Sequence, residues 1–152
     1  MKITHKINYD LQKLISRVPY YYVNSNITTK NFPVPKKIET ENWKLIRMDK
    51  FFTSQEALDK IKSENCRPAN AYELALWVEK HREKEMPKGK WSSVIAFGQL
   101  WFSGDDHEVP GVDRGSAGGF SFNLRRWEGD WHDYPCLLCF CDLSKNSDTF
   151  DS

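Results

Sequence analysis

No aliphatic or aromatic run in this sequence exceeds five residues, as in Leu74-Ala75-Leu76-Trp77-Val78, whereas a helix that crosses a bilayer needs about 20. Insertion through a transmembrane helix is therefore not expected. The opening Met1-Lys2-Ile3-Thr4-His5-Lys6 reaches Asn8 and Asp10 before an apolar stretch can build, so a secretory signal is not expected either. The sequence also lacks G-x-S-x-G and H-E-x-x-H, and Gly115-Ser116-Ala117-Gly118-Gly119 has neither the lysine nor the following helical pattern of a phosphate loop. Cysteine is sparse: Cys66, Cys136, Cys139 and Cys141. Structural zinc usually draws on a second ligand pair at knuckle spacing, which is missing here. In Pro135-Cys136-Leu137-Leu138-Cys139-Phe140-Cys141-Asp142-Leu143, alternation puts Leu137, Cys139, Cys141 and Leu143 on one strand face. These cysteines are expected as buried thiols, with no disulfide framework.

Neither sign of charge is in excess overall, with 22 Lys and Arg against 21 Asp and Glu. The distribution is uneven. Residues 1–90 hold 18 basic and 11 acidic residues, and residues 91–152 hold 4 and 10. The lysines of the basic half are scattered singly among acids, so nucleic-acid binding is not expected. The acidic half carries four of the six tryptophans, Trp91, Trp101, Trp127 and Trp131. With 152 residues, 39% hydrophobic and 28% charged, the chain suits one folded, soluble domain.

Along the chain, Tyr9 to Ile15 suits a short helix ended before Pro19, and Tyr20 to Val23 a short strand. Residues 24–37 read as loop or edge, and Trp43 to Met48 as a strand. Thr53-Ser54-Gln55-Glu56 is a capping box, opening a helix with Ala57, Leu58 and Ile61 inward. Asn70-Ala71-Tyr72-Glu73 is a second box. It opens a helix with Leu74, Trp77, Val78 and His81 on one face, ending near Glu85 ahead of Pro87-Lys88-Gly89-Lys90. Ser93 to Trp101 reads as one strand, with Gly98 marking a bulge or a close backbone approach. Residues 103–119 read as a long turn-rich tract. Phe120, Phe122 and Leu124 alternate with Ser121, Asn123 and Arg125 as a half-exposed strand, and Cys136 to Leu143 is apolar on both faces and so central. Residues 144–152 read as a frayed tail.

Two stretches carry polar chemistry. Asp105, Asp106, His107 and Glu108 form an acidic tip with oxygen donors, but without the spacing of a calcium loop, so no metal is assigned to it. Residues 121–134 mix Arg, Trp, Tyr, Asn, Ser, His and Asp, a blend of rigid amphipathic anchors and adaptable hydrogen-bonding groups that suits recognition better than catalysis.

The order of these segments carries a resemblance. A capped helix, then Arg67-Pro68-Ala69-Asn70-Ala71-Tyr72-Glu73-Leu74-Ala75, Val94-Ile95-Ala96-Phe97-Gly98, a Gly-rich polar stretch and an apolar terminal strand resemble a C-type-lectin fold over residues 43–143. Phe122 through Cys141 is similar to the terminal repeat of variable proteins of diversity-generating retroelements. The resemblance implies an α+β, C-type-lectin-like fold, with two helices packed on small twisted antiparallel sheets and residues 1–42 as an N-terminal extension or first strands. In that family an error-prone reverse transcriptase rewrites chosen codons, mostly adenine-adenine-pyrimidine, whose products exclude Trp, Glu, Lys, Gln and Met. Residues 103–134 contain no Lys, Gln or Met. The implied variable, ligand-binding residues are Ser103, Asp105, His107, Ser116, Ser121, Asn123, Arg125, Arg126, Asp130, His132, Asp133 and Tyr134, on a scaffold that includes Trp101, Trp127 and Trp131. The Glu-Pro-Asn, Gln-Pro-Asp and Trp-Asn-Asp motifs of calcium-dependent lectins are absent, and Trp127-Glu128-Gly129-Asp130 alone stands near that place.

The expectation is thus a hypervariable binding protein, not an enzyme. It would need no cofactor and would recognise a protein or cell-surface ligand. Two alternatives stand beside it. One is a relative of formylglycine-generating oxidases, which share the lectin-like fold and bind copper through two late cysteines, here Cys139 and Cys141 by position. The other is a fixed glycan-binding module.

Overall fold

A computed structural model describes residues 9–88 and 93–142. Three helices pack on a mixed sheet, an α+β arrangement. Asp10 accepts from the Lys13 amide and caps α1 (Leu11–Ile15), the short helix expected near Tyr9. Next come β1 (Tyr22–Val23), β2 (Trp43–Arg47) and β3 (Phe52–Thr53). Both capping boxes form with the expected reciprocal bonds. Thr53 and Glu56 open α2 (Ser54–Ser63), and Asn70 and Glu73 open α3 (Ala71–Glu85). Between them lies β4 (Cys66–Pro68), so Arg67 and Pro68 are strand residues ahead of the helix.

The remaining strands are β5 (Ser93–Ile95), β6 (Trp101–Ser103), β7 (Asp106–Arg114), β8 (Phe120–Arg126), β9 (Asp130–Trp131) and β10 (Cys136–Cys141). Eight of the strands form one sheet ordered β1-β8-β7-β5-β10-β2, with β4 paired to β10 and β6 to β7; β3 and β9 form a separate pair. The expectation of small antiparallel sheets is corrected here. β1 runs parallel to β8, and β10 parallel to β5. Parallel neighbours need a crossover instead of a tight hairpin, and local turn signals do not encode one.

Two further expectations change. The single strand over Ser93 to Trp101 divides into β5 and β6, because the backbone turns away at Ala96–Gly98. The Gly98 amide donates to Ala69 O at 2.7 Å, and a Cβ there would stand 2.4 Å from that oxygen. Close approach is thus the role of this glycine. The tract at 103–119 is not all turn either, since nine of its residues form β7. Its polar composition reflects strand residues that face hydrogen-bonding partners.

Alternation along the strands divides the interior in two. Val94, Val112, Phe122, Leu138 and Phe140 point to one face, where α1 and α3 pack with Leu11, Tyr72, Leu74 and Trp77. Ile95, Val109, Leu137 and Cys139 point to the other, against α2 and the β3–β9 pair, with Ala57, Ile61, Phe52 and Trp131. Residues 9–32 contribute to the first core through Leu11, Leu14, Ile15, Val18, Ile27 and Phe32. Each fully buried large apolar side chain favours the folded state by about 1.5–3 kcal/mol over exposure. Tyr72 is fully buried and donates its hydroxyl to Phe32 O at 2.6 Å, so its polar end is satisfied.

The cysteines correct the sequence reading most directly. Cys141 of β10 lies opposite Cys66 of β4, and the two form a disulfide; Cys136 and Cys139 remain buried free thiols. The partners are 75 residues apart in the chain, so no local spacing announced them.

Candidate functional site

The β7–β8 hairpin carries the residues at which the sequence pointed. On β8, Ser121, Asn123 and Arg125 share the face opposite Phe122, and across the ladder they meet Asp113, Gly111 and Val109. They are tied to one another. Asn123 Nδ2 donates to Asp113 Oδ2 at 2.9 Å and to Ser121 Oγ at 2.7 Å. Arg125 Nη2 donates to Asp133 Oδ2 at 2.6 Å, with Asp113 a further 3.7 Å ion-pair partner, and its guanidinium lies 4.9 Å from the Trp131 ring centre. Arg125 therefore fixes the 130–134 loop to the sheet through charge and ring stacking together. Ser121 is buried, and its Oγ is covered by the Asn123 amide that donates to it.

The loops at one end of this hairpin are anchored to the start of α2. Ser54 Oγ donates to Trp127 O at 2.7 Å and accepts from Trp131 Nε1 at 2.9 Å. Trp131 is buried against Phe52 and Phe97, and half-buried Trp127 packs edge-on to Phe97. Both tryptophans thus hold the loops from beneath. Trp101 does not join them, because it packs with the other core, beyond the sheet.

Over this scaffold the loop tips display rings and charges. Phe51 lies 4.5 Å from His132 and 5.5 Å from Tyr134, ring centre to ring centre. Tyr134 has a positive φ of 50°, unusual for a residue with a side chain, and it stands 37% exposed. On the other flank Phe102, 66% exposed, meets the His107 ring at 4.3 Å, and His107 Nδ1 makes a short bond to Glu128. That bond, above other influences, holds the Glu128 carboxyl below the usual carboxylate range. Arg126, exposed, pairs with Asp106 at 3.4 Å and reaches Glu128 at 3.9 Å. Asp106 and His107 thus face partners across the hairpin, and Asp105 sits exposed beside Gly104 in the turn that joins β6 to β7. Ser103 pairs with Asp106 in the β6–β7 ladder, and Asp130 lies at the exposed end of β9, 4.0 Å from His132.

Ser116 stands apart. It lies exposed in the turn that joins β7 to β8, at the far end of a nine-residue strand, roughly 27 Å from the loop tips at about 3.4 Å per residue. Phe51 and Phe102 were not singled out from the sequence. Phe102 adjoins Ser103 and could have been found as an apolar residue on a polar tip. Phe51 precedes the capping box by two positions and carried no signal of its own.

No family model, curated protein or solved structure matches this chain.

Two other features bear on chemistry. His81 is half-buried between Trp43 and Trp77, at 4.8 and 5.8 Å, beside a cleft of about 450 Å³ along α3; burial foremost pushes its pKa down. It serves there as a packed ring. The cysteines considered for an oxidase are not a free pair, since Cys141 is bonded to Cys66. Cys139 is fully buried, its Sγ donates to Lys44 O at 3.4 Å, and burial pushes the thiol up to about 12. Among the described residues, no helix is long and apolar enough to cross a membrane.

Proposed function

We propose that this chain is a binding protein on a C-type-lectin-like scaffold, of the kind used by variable proteins of diversity-generating retroelements. Its ligand is a protein or cell-surface molecule, met by the loop end of the β7–β8 hairpin. The observation that carries this reading is the group of exposed rings Phe51, Phe102 and Tyr134 set among His107, Arg126, Asp130 and His132, over loops fixed by Ser54, Arg125 and Trp131. Rigid aromatic anchors beside adaptable polar groups are what recognition surfaces use. The lectin-like scaffold draws support from the antiparallel pairing of β2 with β10, which closes the span of residues 43–141 on itself around two capped helices.

The proposal splits into two tests. For diversification, flanking genomic DNA is sequenced in search of a near-copy of the codons for residues 91–141 that differs only at adenines, beside a reverse-transcriptase gene. Such a copy establishes the variable-protein reading, and its absence removes that part. For binding, the protein is screened against arrays of cell-surface proteins and glycans, with Tyr134→Gly and Phe102→Ser as controls. Glycine accepts the φ of residue 134 without strain, so the first variant removes a ring and keeps the fold. A hit that weakens about tenfold or more in these variants, at unchanged melting temperature, supports the face. Hits indifferent to both substitutions place recognition elsewhere and overturn it.

A further inference from the structure

Cys66, Cys139 and Cys141 bring three sulfur atoms within 4.8 Å of one another. The geometry follows from the β4–β10 ladder. Cys141 stands directly opposite Cys66, and Cys139, two residues earlier, projects to the same face of β10. Three elements of packing hold the group. Cys139 is fully buried in the second core, Cys66 and Cys141 pack at its edge, and α2 lies against β4 and β10. Access comes from one side, where Cys66 and Cys141 form part of the wall of a surface cleft of about 770 Å³. Lys37, Arg67, Glu39 and Asp142 also line that cleft, so its wall carries both signs of charge. Cys136, the fourth cysteine, points to the opposite face of β10 and takes no part.

We infer that, once the Cys66–Cys141 disulfide is reduced, Cys66, Cys139 and Cys141 form a site for one thiophilic d10 cation, Zn2+ or Cu+. A dithiol reductant supplies two electrons and two protons to the disulfide, which becomes two thiols while the reductant becomes a disulfide. Binding the cation then releases the thiol protons to solvent. Thiolates around one such ion at metal–sulfur distances of about 2.3 Å stand roughly 3.8 Å apart in a tetrahedral arrangement. That spacing falls within the envelope the three sulfurs already occupy, so the reduced pair needs only to part by side-chain rotation. Soft sulfur donors select these ions over Mg2+ and Ca2+, and water from the cleft is at hand for an open position. The oxidised chain cannot bind in this way, because two of its donors are joined to each other. The site is separate from the loop face proposed for recognition: Cys141 ends β10, and Tyr134 precedes its start.

The test uses the full chain, reduced with a phosphine under anaerobic conditions and shown by circular dichroism to stay folded. Zn2+ and Cu+ are titrated separately against a chromophoric competitor. One equivalent of at least one cation is expected to bind the reduced protein and none the oxidised protein, and the tighter arm names the ion. Cys136→Ala keeps the site, whereas Cys139→Ala weakens it roughly a hundredfold or more, beyond what loss of an outer-shell partner does. Both variants retain three cysteines, so equal binding by the two means general thiol capture and overturns the proposal. Should Cys139→Ala fail to fold, alkylation of the reduced wild-type chain decides. Bound cation must slow modification of Cys66 and Cys141 together, and unchanged rates overturn the site.

Discussion

Arg125 joins three parts of the molecule, through Asp113 on the neighbouring strand, Asp133 in the loop and the Trp131 ring beneath it. Arg125→Ala is expected to cost about 1–3 kcal/mol, lowering the melting temperature by several degrees and loosening the 130–134 loop. A thermal melt with no change would mean that the loop holds itself. The His107–Glu128 bond makes a second expectation, in pH. The folded pKa of Glu128 lies below its unfolded value, so the contribution of the bond is complete above about pH 4.3 and is lost as pH falls through the lower folded value. An NMR titration of the Glu128 carboxyl should give a midpoint below the usual one, restored in His107→Ala. At this scale the sequence was informative about residue type and poor about partners. Asn123, Arg125 and Asp133 were singled out for their chemistry, yet Asp113, which binds two of them, lay unmarked in a stretch read as turn. Cys66 and Cys141 met only through strand pairing, which no spacing of theirs encodes.

Helix caps were the most legible elements. Both boxes act within four residues, and each satisfies donors that any helix start must leave open. The second box does more than cap. Glu73 is fully buried, it accepts from Arg67 Nη2 at 2.6 Å and Nη1 at 3.0 Å, and it takes the amides of Asn70 at 3.0 Å and Glu39 at 2.7 Å. It thereby ties β4, α3 and the segment before β2 at one point. Glu73→Gln removes the charge that faces Arg67 and leaves donors unpaired, a loss of about 3 kcal/mol. A melting temperature lower by roughly 6–12 °C is the expected reading. An unchanged value would show that Arg67, itself partly exposed, re-solvates freely. Strand boundaries were less legible, for the same physical reason that the caps were clear. β5 and β6 part because the Gly98 amide finds Ala69 O across the fold, and such a contact has no local signature. Along β8 the faces alternate as expected, with Phe120, Phe122 and Leu124 toward the first core, but the strand is not half-exposed, because Ser121 is buried and Asn123 and Arg125 are half-buried among polar partners.

On the scale of the whole molecule, the mixed sheet is crossed by one covalent link. Cys66–Cys141 closes a loop of 75 residues, and chain entropy alone gives such a link about 4 kcal/mol. Reduction without added metal should lower the melting temperature by roughly 8–16 °C, measured by calorimetry with and without a phosphine. No change would mean that the unfolded chain is already compact. The class of fold was legible from the capped helices and alternating strands, whereas the order of strands was not. β10 shows why. It sits inside the sheet, hydrogen-bonded to β5 on one side and to β2 and β4 on the other, although it follows all of them in the chain. On a ribosome, everything through residue 135 therefore emerges with a gap where the middle of the sheet will be. A chain halted there offers the edges of β2 and β5 to whatever strand is nearby, including another nascent copy. Synthesis itself becomes the checkpoint: a truncated product is marked for aggregation or proteolysis by its open seam, and only a chain that has delivered its tenth strand can close it.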